Sequence, residues 1–156
     1  MGTNKRIVLD ANILMRAVLG RKVKPLLEEY YASVQFFAPE VCYQDARKYL
    51  PQIFKKKNLE ADDAIDALDK LMLLVNTVES SAYGAYEIEA KQRIEVRDID
   101  DWPVVAVALM LNCPVWTEDA DFLALVLQPG QAITFIYIWQ LGTVIKTERL
   151  HQHANN

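Results

Sequence analysis

The chain has 156 residues, of which 52% are hydrophobic and 24% charged. That composition suits one compact domain with a sizeable core and excludes an intrinsically disordered chain. No apolar run approaches the roughly 18 residues needed to span a bilayer, and the opening MGTNKRIVLDANIL has no h-region followed by a small-residue cleavage site. A cytoplasmic protein with no membrane association is the expectation.

The net charge of −4 is unevenly spread: residues 1–57 carry 11 Lys and Arg against 5 Asp and Glu, while residues 58–156 carry 6 against 16. The basic front, with Arg16, Arg21, Lys22, Lys24, Arg47, Lys48 and Lys55 to Lys57, permits phosphate binding and is equally compatible with solvated helix faces. Cys42 and Cys113 share no metal-ligand spacing and are expected as buried free thiols.

Ile7-Val8-Leu9 is a short apolar run ending at Asp10, as in a buried strand. Residues 12–32 predict one or two helices, with Gly20 as a break and Pro25 as a start. Val34 to Phe37 predicts a second strand, and Ala38-Pro39-Glu40 opens a helix in which Val41, Cys42, Ala46, Tyr49, Leu50, Ile53 and Phe54 recur at helical spacing. An amphipathic helix follows from Ala61, with Ala64, Ile65, Leu68 and Met72 on one stripe and four aspartates on the other. It is core-forming first and could also supply a dimer face.

Leu74 to Val78 predicts a third strand, residues 82–94 a helix, and Trp102 to Leu111 an almost wholly apolar helix. Pro114-Val115-Trp116 and Thr134 to Trp139 predict the fourth and fifth strands, and the last residues, from His151, a polar tail after a single domain over 1–150. Trp102, Trp116 and Trp139 are expected to pack in the core. This alternation implies an α/β domain with a mostly parallel sheet and helices on both faces, in which ligands bind beyond the carboxyl ends of strands where the strand order reverses.

That rule singles out particular acids. Asp10 ends the first strand, Asp119 follows the fourth in VWTED, and Asp101 in RDIDDWP precedes the apolar helix, where an N-cap aspartate is expected. Asp45 lies four residues from both Val41 and Tyr49, so it shares their apolar stripe, an expensive position for an unpaired carboxylate. Each also has a plainer reading: a turn for Asp10, a helix cap for Asp101 and Asp119, an ion pair with Arg47 or Lys48 for Asp45.

Two carboxylates about 5 Å apart repel by roughly 3 kcal/mol at an effective dielectric of about 20. A cluster of them therefore calls for raised pKa values or a cation. An all-oxygen donor set suits Mg²⁺ or Mn²⁺ rather than zinc, and the two histidines, His151 and His153, both lie in the tail. Carboxylate-held divalent cations suit phosphodiester hydrolysis by water.

IVLDANIL, APEVCYQDARKYL, RDIDDWPVVAVALML and VWTEDADFL, in that order, resemble the PIN domain as found in VapC-type toxin ribonucleases, over about Arg6 to Phe122. The resemblance implies a three-layer α/β/α fold with a five-stranded mostly parallel sheet, and a Mg²⁺- or Mn²⁺-dependent endoribonuclease. It carries the family's acidic positions onto Asp10, Asp45, Asp101 and Asp119. Asn12 and Thr117 match polar positions that orient the acids; Asp121 is a further ligand or supporting group, and Asp98 a weaker one. The family usually has glutamate where this chain has Asp45, with Glu40 as a competitor. The resemblance further implies an RNA substrate, a homodimer and an antitoxin partner.

Two other readings compete. A haloacid-dehalogenase-like phosphatase would use Asp10 as a nucleophile but wants a second aspartate where Asn12 stands. A non-catalytic PIN-like module would keep the acidic site only for docking RNA or protein.

Overall fold

The computed structural model describes residues 5–94, 99–116 and 135–136. Strand β1 (Lys5–Leu9) leads into helices α1 (Ala11–Leu19) and α2 (Val23–Tyr30), separated at Gly20. Strand β2 (Val34–Pro39) is followed by the long helix α3 (Glu40–Lys56) and by α4 (Ala61–Leu71). Pro39 sets the fixed φ at the entrance to α3, Glu40 stands in its first turn and Lys55 and Lys56 in its last, so both ends match the helix dipole.

Strand β3 (Val75–Val78) leads to α5 (Ser80–Tyr83), a 3₁₀ turn (Gly84–Tyr86) and α6 (Glu87–Arg93). The single helix expected over 82–94 is thus broken, and the break starts at Gly84, a poor helix former. A second 3₁₀ turn (Ile99–Asp101) opens α7 (Trp102–Leu111), and strands β4 (Val115–Trp116) and β5 (Phe135–Ile136) complete the sheet. The rest of the expected fifth strand, Trp139 and the polar tail lie outside the described residues.

The five strands run in the order β3-β2-β1-β4-β5, and every described pairing is parallel. From β1 to β3 the chain steps one way across the sheet; from β3 to β4 it returns past β1 and continues the other way. Crossovers between parallel strands are right-handed, so α1 to α4 cover one face and α5 to α7 the other. The contacts agree: α3 packs on α1, α4 and β2, whereas α7 packs on α5, α6, β1, β2 and β4. With both faces covered, Ile7, Val8 and Leu9 are all buried, as a central parallel strand requires. Helix α7 is buried continuously from Pro103 to Ala108, which explains its lack of a polar stripe. Trp116 is fully buried and Trp102 only half-buried.

Candidate functional site

The strand order reverses between β1 and β4, and the carboxyl end of β1 opens into a cleft of about 230 Å³. Three of the expected acids line it, each delivered by a different stretch of chain: Asp10 after β1, Asp45 in the second turn of α3 and Asp101 at the start of α7. Asn12 lines it too. The N-termini of α1 and α7 face this end of the sheet, where their dipoles favour negative charge.

Asp10 is only 9% exposed and caps α1: its Oδ1 accepts a hydrogen bond from the Ile13 N–H at 2.8 Å. Asp10 is thus a helix cap rather than the turn residue of its plainer reading. A carboxylate has about four acceptor positions, so one cap bond does not exhaust it. Asp101 occupies the cap position of α7 but makes no side-chain cap hydrogen bond there, because its backbone (φ −80°, ψ 2°) continues the 3₁₀ turn. The expectation of a capping aspartate at Asp101 is met in position and not in bonding.

Asp45 corrects the reading of α3. It does share a wall with Val41 and Tyr49, but that wall is the cleft and not the core: Asp45 is exposed and Tyr49 is 44% exposed. The buried stripe of α3 is the narrower set Cys42, Ala46, Leu50 and Phe54. No burial penalty has to be offset at Asp45. Nor does Arg47 pair with it; the Arg47 guanidinium donates to the Tyr43 hydroxyl at 3.0 Å and lies 3.7 Å from Asp69. Glu40, the competitor, is not on the cleft.

Among the cleft residues the sequence does not single out for a site are one acid and one thiol. Asp100 lines it beside Asp101; the DIDD run held the signal, but only one of its acids was assigned to the helix start. Cys42 also reaches it, three residues before Asp45 on α3. Burial pushes the Cys42 thiol far up, the carboxylates of Asp10, Asp45 and Asp101 push it further, and a backbone hydrogen bond at Ala11 only partly opposes them. All three acids therefore lie near enough to one sulfur atom to act on it. Cys113 is half-buried, less than expected, and its thiol is pushed up to about 12, chiefly by burial.

Among the described residues no three His, Cys, Asp or Glu side chains stand together so as to hold a metal ion by themselves. Asp119, Asp121, Asp98 and Thr117 lie outside the described residues. The donor chemistry of the cleft nonetheless fits a hard divalent cation. The acids offer oxygen only; of the two sulfurs on the lining, the Met15 thioether is a soft donor ill-suited to a hard cation, and the Cys42 thiol, pushed up by burial, stays in its protonated, weakly ligating form.

A parallel sheet whose order reverses at an acid-lined cleft defines an α/β domain with an acidic cleft at its topological switch point. The model of the PIN domain matches residues 8–154, and the chain belongs to that family. No curated protein matches the sequence directly. The fold is similar to a chain of VapBC2 from Rickettsia felis bound to a DNA fragment from their promoter, at 14% identity, covering 85% of this chain and 98% of that one, with a TM-score of 0.64. It is similar also to PAE2754 from Pyrobaculum aerophilum, at 14% identity over 92% and 91% of the two chains, TM-score 0.65. VapBC-1 from nontypeable Haemophilus influenzae matches at 16% identity over 85% and 98%, TM-score 0.56. At such identities the likeness is one of fold.

Proposed function

We propose that this PIN-domain chain is an endoribonuclease that hydrolyses RNA phosphodiester bonds with the help of Mg²⁺ or Mn²⁺, acting as the toxin of a toxin–antitoxin pair. The observation that carries the reading is the meeting of Asp10, Asp45 and Asp101 on one cleft, from three distant stretches of chain. Carboxylates gathered at one cleft serve metal-assisted phosphoryl chemistry better than they serve stability.

In this reading Asp10, Asp45 and Asp101, with Asp119 and Asp121, would hold the ion, and Asn12 and Thr117 would orient them. When bound, the cation supplies neutralising charge at the phosphate and acidifies a water molecule. The chain's own work is positional. The cap bond from Ile13 fixes the Asp10 carboxylate, and the 3₁₀ turn before α7 aims Asp101 into the cleft. The acids that line the cleft would orient an attacking water, and no protein nucleophile is required. Lys22, Lys48 and the other cations of the front half guide the RNA backbone.

The toxin reading draws on the similar structures, two of which are VapBC assemblies and another a toxin–antitoxin complex from Klebsiella pneumoniae, at 19% identity over 74% of this chain and 89% of that one, TM-score 0.52. An antitoxin segment entering the cleft and a homodimer belong to the same proposal; the dimer predicts a mass near twice 17.8 kDa. RNA cleavage in Mn²⁺, abolished by EDTA and by Asp10→Asn, is the expected result. Equal cleavage by the wild type and Asp10→Asn would mean contamination, and the enzyme reading would fall.

A further inference from the structure

We propose that Tyr49 is the platform on which a base of the substrate stacks beside the acidic cleft; this rests on the nuclease reading above. The lining of the cleft is of two kinds: the acids Asp10, Asp45, Asp100 and Asp101, and apolar groups that include Met15, Val41 and Tyr49, the last two one turn to either side of Asp45 on α3. A phosphate and a cation have no use for an apolar lining. The base attached to that phosphate does.

Tyr49 lies one helical turn beyond Asp45 on α3, so the ring and the carboxylate project side by side. It is 44% exposed although aromatic, because the stripe that α3 buries runs through Cys42, Ala46, Leu50 and Phe54 instead. Its ring is therefore not committed to the core. The Lys48 ammonium stands 5.4 Å from the ring centroid. A stacked base and the phosphate next to it thus find an aromatic face and a cation in adjacent positions, the pairing that single-stranded nucleic acid sites use.

Trp102, the aromatic beside Asp101, is a poorer candidate. Its ring already packs against Tyr83, centroids 5.5 Å apart, it is only half-exposed, and it is not on the cleft.

The test uses the Asp10→Asn protein, which binds without cutting and keeps a capping acceptor on α1. The probe is a short fluorescein-labelled single-stranded RNA of mixed sequence in Mn²⁺. A second probe carries 2-aminopurine beside the position that the wild type cuts. Adding Tyr49→Ala should weaken binding about tenfold, within the range for one stacked base, and should abolish the quenching of 2-aminopurine. Tyr49→Phe should retain both, and the melting temperature of each variant should stay close to that of its parent. Affinity within twofold of the parent together with undiminished quenching in Tyr49→Ala would overturn the assignment. Failure of the Asp10→Asn parent to bind the RNA at all would remove the nuclease reading and this inference with it.

Discussion

Asp10 caps α1 and, on the proposed function, also holds an ion; two substitutions separate the two roles. Its Oδ1 accepts the Ile13 N–H at 2.8 Å in a place only 9% exposed. Asp10→Ala leaves that donor without its acceptor and should cost about 1 kcal/mol, as cap losses do. For a domain of this size that is a drop of roughly 2–4 °C in melting temperature. Asp10→Asn keeps an acceptor oxygen and removes one negative charge from a cleft shared with Asp45 and Asp101. In EDTA it should therefore melt within about 2 °C of the wild type, or above it, by the same conversion. Adding Mn²⁺ at about a hundred times its dissociation constant should raise wild-type stability by about 2.7 kcal/mol. Both variants should lose most of that gain, along with RNA cleavage. The measurement is a set of thermal melts by circular dichroism, with and without EDTA, beside a cleavage assay. If Asp10→Asn destabilises as much as Asp10→Ala, the cap argument is wrong; if either keeps the whole Mn²⁺ shift, Asp10 is no part of an ion site.

Three further expectations follow from other parts of the molecule. The Cys42 and Cys113 thiols are raised mainly by burial from a usual value near 9. The folded state therefore holds protons that the unfolded chain releases, and stability should be full below about pH 9 and fall as pH climbs, by up to about 1.4 kcal/mol per pH unit per thiol. Cys42→Ala should make urea midpoints above pH 9 less steep in pH; an unchanged slope refutes the linkage. Trp116 buries its ring nitrogen with no hydrogen-bond partner among the described residues, so Trp116→Phe removes a donor whose burial costs about 1–3 kcal/mol. That relief offsets lost volume, and the net loss should be smaller than the roughly 2–5 kcal/mol of Leu9→Ala, as read from denaturant midpoints. Lys48→Ala should weaken RNA binding uniformly across sequences and reduce the slope of log affinity against log salt by about one; an identical slope excludes a phosphate contact.

The places of Asp10 and Asp101 on the cleft were legible because position relative to an element is itself readable: IVLD ends an apolar run, and DWP opens a helix. Helices α3, α4 and α7 were legible for the same kind of reason, with long, regular apolar spacing. What periodicity could not give was the width of the buried arc. Seven apolar residues of α3 were assigned to one stripe, yet Val41 and Tyr49 sit on its flank and face the cleft. Asp45 consequently looked like a strained core carboxylate when it is an exposed one. Asp100 was passed over because a single cap position takes a single residue, and the 3₁₀ turn that brings both aspartates to the cleft has no sharp sequence signature. The split between α5 and α6 rests on Gly84, whose cost to a helix is small enough for either outcome.

The sheet also dictates an order of assembly. Strand β1 is made early, yet it is sandwiched between β2 and β4, and Val8 cannot find Val115 until nearly all the described chain has left the ribosome. Asp10 meets Asp45 while synthesis is under way, but Asp101 arrives only with α7. An emerging polypeptide would therefore carry a half-built cleft, and any activity that needs all three acids would appear late and abruptly rather than grow with chain length.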